Sequence, residues 1–498
     1  MMKRILILIL AVLIAATCLV ACSSGKKPGG KTQTSDTQGT TRPEEIVTHE
    51  ADIVPDLPEE KLSTTFQLLL KEDMYISEWD DTGTAGGSTI DLIDEALFSR
   101  NAKLQNKYDC FFEYTNIPRT ECLERGRQII FGGDVKTDFL DFGISELTAL
   151  AGEGALRNVS TVPYVDYSKP YWYSSLMAEL ESPNGSRYFA VGYGNLCLQW
   201  NSYCVIFNQT VYNYIFNDDI FETVRNGEWT LDLLLTYAKQ VYNDKTGDGP
   251  SEDDFYGIHS QGGSWYATLF GGGMKLVEKD ENGNFQSKLT TETVYDRLEK
   301  VLGYMADFSV CKQNADQTAT VGQFKAGEAL FLPGPICGAY VARDMDDLMG
   351  IVPSPLAENA SPDRPATEQY YTHSHYSHAN ALAIPSTVAE DRLGAIGIIW
   401  EDSSYLSKKG ILNAMIEVTL LGRTVQEAES AEMMEIVFSN IHLDPIFIYC
   451  DNNCNFDAKY REMIRDIGKN GVVGDLYSTM TSLNSALQNY LDKNINIQ

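Results

Sequence analysis

Short apolar runs alternate with helix-patterned stretches between residues 65 and 142, and that alternation leaves few folds open. Thr65–Leu70 (TFQLLL), Cys110–Tyr114 (CFFEY) and Asp138–Phe142 (DFLDF) read as buried strands. Between the first two, Ile90, Ile93, Leu97 and Leu104 recur at helical spacing from about Ser88 to Tyr108, with Ser88 or Thr89 as the N-cap. A second helix is expected over Thr120–Phe131, ended by the turn Gly132–Asp134. Strand, helix, strand, helix, strand at this spacing implies βαβ units, an α/β fold and a largely parallel sheet.

Further along, Thr230 is placed to cap an amphipathic helix over Leu231–Val241. Val294, Leu298, Val301, Leu302 and Met305 form one face of a helix over about Thr293–Phe308. Gln323–Ala326 ends at Gly327, and a strand begins over Glu328–Leu332. The last third reads as mostly helical, including Arg392–Ser407, Ile411–Gly422 and Ala428–Ser439. No internal repeat is present.

The N-terminus carries an address. Lys3 and Arg4 precede the apolar run Ile5–Ala16, which is short for a membrane span and suits the core of an export signal. Leu19-Val20-Ala21-Cys22 resembles a lipobox. Residues 1–21 are therefore expected to be removed, and Cys22 to carry two acyl chains, enough for stable anchoring. Residues 22–61, rich in Ser, Thr, Gly, Lys, Gln and Pro, read as a flexible tether. The formal net charge of −30 argues against nucleic acid and anionic lipid headgroups as partners. Of the ten cysteines, Cys18 lies in the signal and Cys22 at its end. The others permit disulfides in an exported protein, Cys450 and Cys454 being closest in sequence, but buried free thiols serve a chain of this size equally well.

Several phrases, in order, resemble the family-1 extracellular solute-binding proteins, the class that contains maltose-binding protein, and above all its long clostridial lipoprotein members. They are Asp138–Glu146 (DFLDFGISE), Gly152–Leu156 (GEGAL), Tyr167–Tyr173 (YSKPYWY), Tyr188–Gly192 (YFAVG), Phe207-Asn208, Gly227–Ala238 (GEWTLDLLLTYA), Asn243–Gly249 (NDKTGDG), Asp254–Ile258 (DFYGI), Phe324–Leu332 (FKAGEALFL) and Met349–Pro355 (MGIVPSP). Gln209 departs from the lysine usual after Phe-Asn. The resemblance implies a periplasmic-binding-protein-like type II fold. Two α/β lobes would be joined by crossing strands, one from 62–192 and 378–410, the other from 196–375 and 412–498, with the ligand in the cleft. It further implies a monomer tethered on the extracytoplasmic face of the cell membrane, handing a small solute to the permease of an ABC importer.

Sugars present polar edges and apolar faces, and 27 tyrosines and six tryptophans supply matching surfaces, so a mono- or oligosaccharide is the expected ligand. Trp79 follows the first strand in a Gly-rich loop. Asp141 and Ser145 lie at the end of the third strand. Tyr171 and Trp172 come before the first crossing, Trp200 and Tyr203 just after it, and Trp265 and Tyr266 follow Gly262-Gly263. A large aromatic in a glycine-rich loop such as that of Trp265 and Tyr266 is not expected in a core, and all of these residues are candidate ligand contacts by their position. Trp229 and Trp400 are expected to be core.

Two clusters suggest metals. His373, His375 and His378 lie in one short segment, but on a strand His378 would point away from the other two, and a polar hinge lining accounts for them. Asp244, Thr246, Asp248 and Gly249 occupy the first positions of a calcium loop, yet Phe255 stands where a bidentate glutamate is needed. No cofactor is expected, with calcium at that turn the one option. Catalysis is not expected either: HExxH, G-x-S-x-G and a phosphate-cradling glycine loop are all missing. The rival readings are a ligand-sensing lipoprotein serving a signalling partner and a secreted glycoside hydrolase.

Overall fold

The three apolar runs become neighbouring strands β1 (Thr64–Lys71), β2 (Cys110–Ile117) and β3 (Phe139–Gly143) in the computed structural model of the chain. The structure describes residues 53–72, 76–81, 91–251, 253–261, 263–314, 317–420, 425–450, 456–471 and 473–496. The expected signal peptide, Cys22, the tether as far as residue 52, Gly262 and Cys454 lie outside them.

β1 pairs in parallel with both β2 and β3, and the helices Asp91–Tyr108 and Cys122–Phe131 make the two crossovers. The chain then builds β4 (Tyr203–Asn208), β5 (Tyr256–Gln261), β6 (Val277–Lys279), β7 (Phe285–Ser287), β8 (Cys311–Asn314), β9 (Ala329–Pro335), β10 (Met349–Pro353) and β11 (Thr372–His373). It returns with β12 (Asn380–Ala383), antiparallel to β3 with Leu382 opposite Asp141. β13 (Ile441–His442) pairs with β11. The first sheet has the order β12-β3-β1-β2, and the second β10-β4-β9-β5-β8. Two α/β lobes result, and the chain passes between them after Gly192 and again between β11 and β12.

Side chains alternate across a strand, so a sheet covered on both faces must be apolar throughout. β4 obeys this: Cys204 and Ile206 join one core, while Tyr203, Val205 and Phe207 join the other. The helix Leu231–Val241 begins where expected, the Thr230 side chain accepting the Leu233 N–H at 3.3 Å. The two helices anticipated around Lys408–Gly410 are one, Leu393–Leu420. A single glycine costs a helix only about 1 kcal/mol, less than the packing of its flanks supplies.

Cys110, Cys122, Cys197, Cys204, Cys311 and Cys337 are buried thiols. Among the described residues no helix is long and apolar enough to cross a membrane.

Candidate ligand site

A cavity of about 240 Å³ lies between the lobes. One wall is the helix Ile144–Gly152, which starts where β3 ends. Ile144, Leu147 and Leu150 bury one side of it, and Ser145, Thr148 and Gly152, spaced three and four apart, present small groups to the cavity. The segment from Ser182 to Phe189 continues that wall. Its turn is closed by the Ser182 hydroxyl donating to the Ser186 carbonyl at 2.8 Å, with Gly185 at φ +79°, a conformation that suits glycine. The second lobe contributes Ile448 and Tyr449, together with Tyr490, Asn494 and Ile495 from the end of the helix Leu476–Asn494 and just beyond it. That helix is seated by Leu476, Met480, Leu483, Leu487 and Leu491, which leaves Tyr490 and Asn494 on a neighbouring face.

Among the described residues the lining contains hydroxyls, one amide and aromatic rings, and no Asp, Glu, Lys, Arg or His. In a chain of net charge −30, such a surface is suited to an uncharged ligand with many hydroxyl groups. The volume lies near the lower end of small-molecule sites, which run roughly from 300 to 1,000 Å³.

Next to the cavity, charged groups gather at the carboxyl ends of the first lobe's strands. A Cβ on Gly143 would stand 2.1 Å from Glu146 Oε2 and 2.7 Å from Lys71 Nζ, so both side chains close over this glycine. Lys71 Nζ donates to the Ser377 carbonyl and to Asn380 Oδ1, each at 3.2 Å, tying β1 to the second crossing. On the facing lobe, Tyr203 and Tyr266 stack at 5.2 Å, the Tyr266 hydroxyl donates to Asp457 Oδ1 at 3.0 Å, and Arg461 pairs with Asp457 at 2.7 Å. The His375 imidazole is pushed down to about 3 by burial and by the nearby His378, Arg461 and Arg119, so it is neutral.

Of the residues expected from sequence, Ser145 lines the cavity. Tyr203 and Tyr266 stack on each other inside a hydrophobic core, and the rest are buried as well. Trp79 is stacked on Phe139 at 6.4 Å with the Arg100 guanidinium over its ring at 4.4 Å, in the interior of the first lobe instead of at a cleft edge. Tyr171 and Trp172 both donate to the buried Glu401, at 2.6 and 2.9 Å, so their polar atoms serve to fasten the long helix. Trp200 is buried against Tyr340. Trp265 is fully buried between Tyr266 and Tyr460, with ring centroids 4.0 and 4.3 Å away. Asp141 is buried beside Glu78. The expectation that aromatics in glycine-rich loops stay out of cores is therefore corrected: the rings of Trp79 and Trp265 pack inward. Trp229 and Trp400 are core. The cavity-lining residues that the sequence did not point to include Tyr188, Tyr449, Tyr490 and Asn494. Tyr490 and Asn494 carry a weak signal, as polar groups beside a continuous leucine seam.

Among the described residues no group of three or more His, Cys, Asp or Glu side chains is arranged to hold a metal ion. His373 Nε2 accepts the Asp444 N–H at 3.3 Å. The Asp244 carboxylate is occupied by the backbone N–H groups of Thr246, Gly247 and Gly249, at 3.2, 2.6 and 2.9 Å, so the turn is satisfied by its own backbone.

These lobes, crossings and the cleft between them define the type II periplasmic-binding-protein fold. A cyclo/maltodextrin-binding protein complexed with maltotetraose superposes with a TM-score of 0.57 at 12% identity, over 86% of this chain and 97% of the other. A sugar transporter from Rhizobium etli in an open conformation gives 0.55 at 14%, over 86% and 99%. An ABC substrate-binding protein from Listeria monocytogenes in complex with cycloalternan gives 0.54 at 12%, over 86% and 99%. No protein-family model and no curated protein matches the sequence.

Proposed function

We propose that this protein captures a small neutral carbohydrate between its lobes and delivers it to an ABC importer. The observation that carries this reading is the inter-lobe cavity, walled by both lobes and lined with hydroxyl, amide and aromatic groups and, among the described residues, no charged side chain. The fold supports it, since hinged lobes can bury a guest and present a changed surface to a permease. Ser145, Tyr188, Tyr449, Tyr490 and Asn494 are the proposed contacts. The lipobox at Leu19–Cys22 supports acylation of Cys22 and attachment to the outer face of the cell membrane.

A thermal-shift panel of mono- and oligosaccharides tests the reading. A ligand that binds only the folded form raises the melting temperature as its concentration rises. A saccharide giving such a shift supports the proposal. A panel in which only charged solutes, amino acids or peptides shift the transition overturns it.

A further inference from the structure

We propose that Glu179 is an electrostatic latch that holds the two lobes together at the edge of the cavity before any ligand arrives. Glu179 lies on the last turn of the first-lobe helix Ser174–Leu180. Both of its ionic partners belong to the second lobe: Lys275 Nζ at 2.5 Å, just ahead of β6, and His442 Nδ1 on β13.

The neighbouring contacts point the same way. Lys279 Nζ donates to the Ala178 carbonyl at 2.8 Å, and the Tyr449 hydroxyl donates to the Leu180 carbonyl at 2.5 Å. These carbonyls belong to the final turn of the helix, where backbone acceptors lack helical partners and carry partial negative charge, so an ammonium and a hydroxyl satisfy them. Leu180 and Tyr449 also line the cavity, which puts the latch at its rim. Burial works to raise the Glu179 carboxyl, yet His442 and Lys275 outweigh it and hold the group below its usual range.

The side chains of Glu179 and Lys275 are 23% and 27% exposed, so salt reaches the pair and screens it in part. A contact made only when the lobes are together shifts the opening equilibrium by its own free energy, whether or not a ligand is present. The latch would thus preset how readily the site closes. Its meaning for capture rests on the proposed function, but its test uses no ligand, so either can fail alone.

The experiment is double electron–electron resonance on the ligand-free full chain, with spin labels at Lys136→Cys in the first lobe and Lys245→Cys in the second, both exposed positions. Glu179→Gln is expected to raise the ratio of open to closed lobes about fivefold, the scale of a partly exposed ion pair. Salt at about 1 M should do the same to the wild type and nothing further to the variant. The exchange Glu179→Lys with Lys275→Glu should restore the short distances. An unchanged distance distribution in Glu179→Gln overturns the proposal. If that variant does not fold, a wild-type distribution indifferent to salt overturns it equally.

Discussion

The carboxyl groups of Glu78 and Asp141 lie side by side in the interior of the first lobe, each side chain belonging to a residue only 2% exposed. Glu78 accepts the Cys197 N–H at 3.1 Å and the Asn195 amide at 3.0 Å, which fastens the start of the first crossing. Among the described residues Asp141 Oδ1 has no hydrogen-bond partner. Burial pushes Glu78 up to about 7, and burial together with the Glu78 charge pushes Asp141 well above the carboxylate range.

Both folded-state values exceed the unfolded ones, so each group's contribution is present at acid pH, and that of Glu78 is fully present below about pH 4.5 and lost as pH rises through about 7. For Glu78 the loss is on the order of 3 kcal/mol. Denaturant unfolding at pH 5 and pH 8 should show the wild type weaker at pH 8, and Glu78→Gln should remove much of that difference. Equal pH dependence in the two proteins would contradict the assignment.

Trp265 packs between Tyr266 and Tyr460, and its indole N–H meets no acceptor among the described residues. Trp265→Ala should cost about 3–5 kcal/mol in a chemical melt. Trp265→Phe should cost clearly less, because it keeps most of the ring and deletes an unsatisfied donor.

Two glycines of the helix Leu393–Leu420 should respond in opposite directions. A Cβ on Gly397 would stand 1.8 Å from the Pro163 carbonyl oxygen, whereas one on Gly410 meets nothing within 4 Å. Gly397→Ala forces backbone apart and should lower stability by about 1–3 kcal/mol, read from the denaturation midpoint. Gly410→Ala should raise it by about 0.5–1 kcal/mol.

Ser145 offers a way to fill the cavity without disturbing the core, since it is half-buried and faces the open space. Ser145→Tyr should abolish the saccharide-induced thermal shift while leaving the ligand-free melting temperature nearly unchanged.

The fold was legible because its signals are local. Periodicity placed the helix ending at Tyr108, the capped helix at Thr230 and the first three strands within a few residues of where they lie. The joining of Arg392–Ser407 to Ile411–Gly422 was not, because tertiary packing and not propensity decides whether a helix runs through Lys408–Gly410. The site was the least legible part. Tyr171 and Trp172 look like ligand aromatics in sequence, and only the position of Glu401, far along the chain, turns them into core. Tyr449 and Tyr490 come to line the cavity only when the fold brings the C-terminal segment to the same cavity as the helix that follows β3.

The most direct measurement is a crystal structure grown with the saccharide that gives the largest thermal shift. Electron density for the sugar between Ser145 and Tyr188 on one side and Tyr449 and Tyr490 on the other is the predicted result. A sugar bound on an outer face, with that cavity unoccupied, would contradict the account.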